Sequence, residues 1–271
     1  MKTNIYTTWE DAVIWLRNQK DKSSLIEEAY FDDPLIGAAK RFYNSSEWAA
    51  VKKYLPKIKN IALDIGAGRG IASYALSSDG WDTIALEPDR SDIVGSGAIR
   101  ELKYQTGLPI KIVEEYGEHL PFADETFGLV YCRQALHHAN NLQKLCKEIG
   151  RVLKAGGILI ASREHVISRK EDLSIFLESH PLHQLYGGEH AYHLSTYLKA
   201  IESAGIKLKN VLNPLESDIN LYPITQNDIK KHISKRLLFV SPKWIPDVLL
   251  KIMGKFDKTP GRLFSFIGQK I

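Results

Sequence analysis

Four short stretches of the chain combine residue types and spacings that could carry chemistry. His137 and His138 stand side by side after an apolar run, residues 129–133, that reads as a β-strand. Arg163-Glu164-His165 follows a second such run, residues 157–162. At the carboxyl edge of an open α/β sheet, where ligands bind, such groups can hold an acceptor or take its proton. Histidine suits that work near neutral pH, so His137, His138 and His165 are the candidate bases and Glu164 a candidate acceptor ligand. Neighbours in a helical turn point about 100° apart, so His137 and His138 are not expected to face one cleft together. The bland alternative is that both rings pack against or cap the following helix, and that Glu164 and His165 form a satisfied loop pair.

Residues 180–193, His-Pro-Leu-His-Gln-Leu-Tyr-Gly-Gly-Glu-His-Ala-Tyr-His, are rich in polar aromatics. They lie between the fifth strand and the next helix, where substrate loops usually sit. Glu189 and Tyr192 are the acceptor-binding candidates. His180-x-x-His183 and His190-x-x-His193 have neither cysteines nor a zinc-protease spacing, so no metal ligand set is assigned.

The fourth stretch is Ala62-Leu63-Asp64-Ile65-Gly66-Ala67-Gly68-Arg69-Gly70, a buried strand entering a Gly-rich turn before a helix. Glycines permit positive φ and close approach of a ligand, and the helix N-terminus offers free N–H groups to a carboxylate. Seventeen residues after Gly70, Glu87 ends the next strand, with Pro88 after it, where a carboxylate can accept both hydroxyls of a ribose. A nicotinamide dinucleotide would use the same pair. Against it, the turn reads G-x-G-x-G, with Ile71 where the dinucleotide fingerprint wants its last glycine. Asp64 also sits where its charge would repel a pyrophosphate and would suit a ligand bearing an ammonium group.

Positioning these groups requires a parallel sheet. Strands are expected near residues 61–65, 83–87, 110–113, 129–133, 157–162 and 206–212, with a seventh over 262–268. Helical patterns lie near 71–78, 91–104, 142–153 and 195–204. Such alternation predicts an α/β fold, a mostly parallel seven-stranded sheet with helices on both faces. Residues 1–58 read as a helical lid, including a helix over 9–16 and one capped at Ser46. Residues 59–212 form the ligand-binding core, and 213–271 a C-terminal part whose helices, near 227–239 and 245–256, are inserted before the last strand.

Composition narrows the class. The 271 residues are 44% hydrophobic and 25% charged, ordinary for one globular core. Two cysteines, Cys132 and Cys146, in apolar runs argue for free thiols in a reducing compartment. Met1-Lys2-Thr3-Asn4-Ile5 has no apolar signal core and no run suffices to span a membrane, so a cytoplasmic location is expected. A net charge of +4 does not argue for nucleic acid. Ten Lys/Arg against three Asp after Thr225 make the tail basic: a solvated face, or attraction to an anionic substrate or lipid surface. The stripe Val248, Leu249, Ile252, Met253 and Phe256 is one helix face that packs on the domain or meets a lipid-linked acceptor or membrane.

Leu120-Pro121-Phe122, Phe127-Gly128-Leu129-Val130, Leu136-His137-His138 and Leu153-Lys154-Ala155-Gly156-Gly157 complete the pattern. With the Gly-rich turn, their order and spacing over residues 60–165 resemble the class I S-adenosylmethionine-dependent methyltransferases. The resemblance implies a Rossmann-like sheet, S-adenosylmethionine as cofactor, and methyl transfer to an oxygen or nitrogen of a small-molecule acceptor such as a glycan, lipid-linked compound or secondary-metabolite precursor. It implies that Gly66, Gly68 and Gly70 border the methionyl part with Asp64, that Glu87 holds the ribose, and that Gly117 and Glu118 lie against the adenine. Arg133 would face the methionyl group, Tyr30 would close over the cofactor from an N-terminal helix, and His138 would lie nearer the methyl group than His137. Tyr116, Gly128 and Ala155 depart from the usual Asp, Asp and Pro; only Tyr116 puts a contact, that to the adenine amino group, in doubt. A nicotinamide-dependent oxidoreductase and a non-catalytic cofactor-binding protein are the competing readings.

Overall fold

The computed structural model of the chain describes residues 8–236 and 241–271. Eight strands form one sheet: β1 (Ile61–Ile65), β2 (Asp82–Leu86), β3 (Lys111–Val113), β4 (Phe127–Arg133), β5 (Leu153–Ile167), β6 (Tyr192–His193), β7 (Ile206–Leu212) and β8 (Arg262–Lys270). Their order is β3-β2-β1-β4-β5-β8-β7, with the two-residue β6 beside the far end of β5. All pairings are parallel except those of β8. The seven expected strands are present and β6 is added to them. The chain builds outward from β1 to β3 and then returns to place β4 on the other side of β1. That reversal leaves a crevice at the carboxyl ends of β1 and β4, where open α/β sheets bind ligands.

The sheet is covered on both faces. Helix Leu142–Val152 shows why the sequence folds this way. Its buried positions, Leu142, Leu145, Cys146, Ile149 and Val152, recur at helical spacing, and the Asn141 side chain caps its start by accepting from the Lys144 amide. With helix Leu194–Ser203 it buries one face. The other face packs against helices Leu35–Tyr43, Ser46–Val51, Ile71–Ser78 and Ser96–Thr106. Both cysteines are buried and free.

Three local expectations change. The cap of helix Ser46–Val51 is Ser45, one residue earlier than expected, its hydroxyl accepting from the Trp48 amide. β5 does not stop at Ser162. It continues to Ile167 through an irregularity between Ala161 and Glu164, where Arg163 has φ 61°. Arg163-Glu164-His165 therefore lies inside a strand and not in the loop after it. The polar sequence suggested a loop, but antiparallel pairing with β8 keeps the strand going. Finally, helix Asp247–Phe256 packs through Leu250 and Gly254, while Val248, Leu249, Ile252, Met253 and Phe256 are exposed, so that stripe does not pack on the domain.

Helix Gln226–Arg236 accounts for most of the pattern over 227–239, whose last three residues lie outside those described, as do residues 1–5. Among the described residues no helix is long and apolar enough to cross a membrane.

Candidate functional site

A cleft of about 810 Å³ opens at the carboxyl ends of β1, β2 and β4. It lies within the range of about 300–1,000 Å³ typical of small-molecule sites. Its floor is the turn after β1. Gly66 and Gly68 have φ of 67° and 53°, and a Cβ on Gly66 would come within 2.9 Å of the Ala135 Cβ. Non-glycine residues would be strained at both positions.

Two carboxylates mark one end. Asp64 is buried, and its Oδ2 accepts from Ser73 Oγ at 2.6 Å. Burial pushes its carboxyl up to about 7, against the pull of that hydrogen bond. Glu87 divides its oxygens between two amides: Oε2 accepts from Gly68 at 2.7 Å and Oε1 from Asp89 at 2.9 Å. Burial lifts it as well to about 7, although those two amides favour the charged form. Glu87 thus shapes the Gly-rich turn while lining the cleft.

The opposite end carries the imidazoles. Glu164 is fully buried and collects four donors. These are the Ala135 and Leu136 amides on Oε1 at 3.1 Å, the His137 amide on Oε2 at 3.0 Å, and His137 Nδ1 on Oε2 at 2.7 Å. It fixes the turn after β4 and with it the His137 ring. His137 Nε2 lies 3.5 Å from Glu189 Oε2, and His138 Nε2 lies 4.0 Å from the same atom. Burial lowers the His137 pKa, but Glu164 and Glu189 outweigh it and hold it up at about 9. Glu189, which burial alone would raise, is held down at about 2 by His137, His138 and His180. His165 sits behind His137, ring centroids 4.8 Å apart, with Nδ1 2.7 Å from the Gly261 carbonyl oxygen. Burial and the neighbouring His137 push it down to about 3.

The roof comes from the N-terminal segment. Arg69, inside the Gly-rich turn, donates from Nη1 to the carbonyls of Tyr30 (2.7 Å) and Asp32 (2.9 Å), and from Nη2 to Asp33 Oδ1 (2.5 Å). Trp9 packs on Phe31 and Tyr186, while Leu185 joins Ala12, Leu16 and Ile26 in a small cluster. The N-terminal helices and the segment after β5 therefore meet above the cleft. Tyr30 is held with φ 58°, its ring stacked on Tyr222 at 5.3 Å. Gln134 and Arg163 also have positive φ and line the same cleft. Strained non-glycine residues of this kind gather where function requires them.

Residues 63–161, which span the turn, Glu87 and both histidines, match the methyltransferase domain family. Over this stretch the chain carries a methyltransferase domain of the class I, S-adenosylmethionine-dependent kind. YcgJ of Bacillus subtilis, an uncharacterized methyltransferase, is 32% identical over 101 residues, covering 35% of this chain and 37% of that one. Its crystal structure superposes with a TM-score of 0.55 at 19% identity, over 83% of this chain and 97% of that one. The sarcosine/dimethylglycine N-methyltransferase of Aphanothece halophytica is 29% identical over 134 residues, 46% of this chain and 44% of the relative. A phosphoethanolamine N-methyltransferase of Haemonchus contortus, solved in complex with S-adenosyl-L-methionine, superposes with a TM-score of 0.56 at 18% identity, over 91% of this chain and 59% of that one. The chain spans about four tenths of the length of the sequence relatives it matches.

The cleft brings together Tyr30, Asp64, Gly66, Gly68, Glu87, Pro88, Gly117, Glu118, Arg133, His137, His138 and Glu189. Contrary to expectation, His137 and His138 share it. A 3-10 turn, Leu136–His138, sets their rings 4.2 Å apart. Four residues singled out in the sequence are not on its wall. Gly70 starts helix Ile71–Ser78 against Ile99, Tyr192 donates to the Ala139 carbonyl from β6, and Glu164 and His165 stand behind His137. Arg133 lines the cleft, but Glu47 holds its guanidinium, with Nε to Oε1 at 2.7 Å and Nη2 to Oε2 at 3.0 Å. Sequence reasoning missed Glu47 and Arg69. Glu47 is 86 residues from its partner and Arg69 about 37 from its own, and no local pattern announces such pairs.

Proposed function

We propose that the chain transfers a methyl group from S-adenosylmethionine to a small-molecule acceptor. The observation that carries this reading is one cleft with a carboxylate-lined Gly-rich turn at one end and His137, His138 and Glu189 at the other. The residues suit the donor. Glu87 presents a carboxylate for ribose hydroxyls. Asp64 and the cleft edge at Gly68 suit an amino-acid tail with an ammonium group, and a Cβ on Gly68, which would meet only the Val94 carbonyl oxygen at 3.9 Å, would fill part of the cradle. Bound S-adenosylmethionine supplies an electrophilic methyl on a sulfonium sulfur. The chain's own contribution is alignment of the acceptor and exclusion of water, through the Tyr30 roof that Arg69 clamps down. His138 is the candidate base. Its Nδ1 faces the Gly188 carbonyl, and burial and His137 lower its pKa, which favours the neutral ring. The Aphanothece and Haemonchus relatives are both N-methyltransferases, which favours an amine over a hydroxyl.

Incubation with methyl-labelled S-adenosylmethionine and the separate small-molecule, protein and nucleic-acid fractions of a cell extract tests this. Label is expected in a small molecule, with His138→Ala slowing transfer and sparing donor affinity. Cofactor binding without transfer to any fraction would leave a non-catalytic binding protein, and label confined to protein or nucleic acid would contradict the acceptor class.

A further inference from the structure

Among His137, Glu189 and His165 the donors and acceptors do not close. His137 Nδ1 is committed to Glu164 Oε2 at 2.7 Å, so Nε2 faces the Glu189 carboxylate at 3.5 Å. A lone pair on Nε2 would oppose an anionic oxygen, so something positive must lie between them. A proton would satisfy this pair but leave a third atom unexplained. His165 Nδ1 lies 2.7 Å from the Gly261 carbonyl oxygen, which can only accept, so Nδ1 carries the proton and Nε2 the lone pair. That Nε2 is buried without a hydrogen-bond partner, on a side chain only 7% exposed. One ligand atom from each of His137, His165 and Glu189 lies within 4.8 Å of the other two.

We propose that His137, His165 and Glu189 form a binding site for a divalent transition-metal ion. Each histidine has its second ring nitrogen fixed, one by a buried carboxylate and the other by a backbone carbonyl. Metal-ligating histidines are oriented in this way. Two imidazoles and one carboxylate select zinc, manganese, iron or cobalt over magnesium and calcium, which prefer all-oxygen shells. Bonds of about 2.1 Å need ligand atoms roughly 3–3.5 Å apart, so the site must contract. Glu189 follows Gly187 and Gly188, both at positive φ, on the segment that lines the cleft, and it is the ligand placed to move. The ligands come from the turn after β4, from inside β5 and from the segment before β6, so no local spacing reveals them. Three protein ligands leave at least one position open, and Glu189 and His137 turn it toward the cleft. There the ion would hold an oxygen of the acceptor in place. That role rests on the methyl-transfer reading, whereas the site itself does not.

The test uses the intact, chelator-treated protein titrated with Zn²⁺ by calorimetry and with Co²⁺ by visible absorption. One equivalent is expected to bind, with Co²⁺ showing the intensified d–d bands of a low-symmetry nitrogen–oxygen site. Glu189→Gln, on the cleft surface, and His165→Gln should each weaken binding at least tenfold while circular dichroism confirms the fold. S-adenosylhomocysteine affinity, measured on the same samples, reports separately on the methyl-transfer reading. Absence of binding by the wild type, or binding unchanged in both variants and so located elsewhere, would overturn the site.

Discussion

Asp64 and Glu87 are carboxylates that the fold keeps out of water before any ligand arrives. An acid whose folded pKa is raised destabilises the folded chain where it must ionise. For Asp64, raised from 3.8 to about 7, the cost is absent below about pH 4, grows as pH rises, and is complete above pH 7. Asp64→Asn removes this dependence while its amide oxygen still accepts from Ser73. Urea unfolding should therefore show the variant gaining on the wild type by about 2–3 kcal/mol between pH 5 and pH 8. A difference that stays constant with pH would contradict a buried, raised Asp64. At this scale the sequence was informative wherever the signal was local: Asp64, Gly66, Gly68 and Glu87 sit at strand ends whose positions the pattern fixed. It was silent on Arg69 and Glu47, whose partners Tyr30, Asp32, Asp33 and Arg133 become neighbours only when the chain closes.

Among the elements, β5 shows most clearly where pattern reading stops. Its apolar part was legible, but its polar extension was not. Arg163 at positive φ lets the strand bend while β8 pairs along it, as bulges do beside functional sites. The extension brings Glu164 and His165 behind His137 and so builds the histidine end of the cleft. Helix Leu142–Val152 was legible throughout because its periodicity and cap agree. Its docking depends on a residue whose importance only the structure reveals. A Cβ on Gly150 would fall 2.1 Å from the Ala204 carbonyl oxygen. Helix propensity alone predicts that Gly150→Ala stabilises the chain by up to about 1 kcal/mol. The close packing predicts instead a loss of about 1–3 kcal/mol in urea unfolding, and a gain would show that the two helices are free to separate.

Across the whole molecule, a sheet reversal at β1 and β4, a roof from residues 9–33 and a segment over 180–189 converge on one cleft. The mostly parallel sheet with helices on both faces follows from the alternation of strands and helices, and was therefore accessible from sequence. The meeting of roof and segment was not, because Trp9, Leu16 and Ile26 find Leu185 and Tyr186 from more than 150 residues away. The proposed activity depends on this cleft binding the methyl donor through the carboxylate end. Calorimetric titration of the intact protein with S-adenosylhomocysteine, the demethylated product, addresses that most directly. The prediction is saturable binding of one equivalent, weakened about 10- to 100-fold by Glu87→Gln, the scale of losing hydrogen bonds to a charged group, and no heat with NADH. No binding of S-adenosylhomocysteine by the folded wild type, or binding of NADH that depends on Glu87, would contradict it.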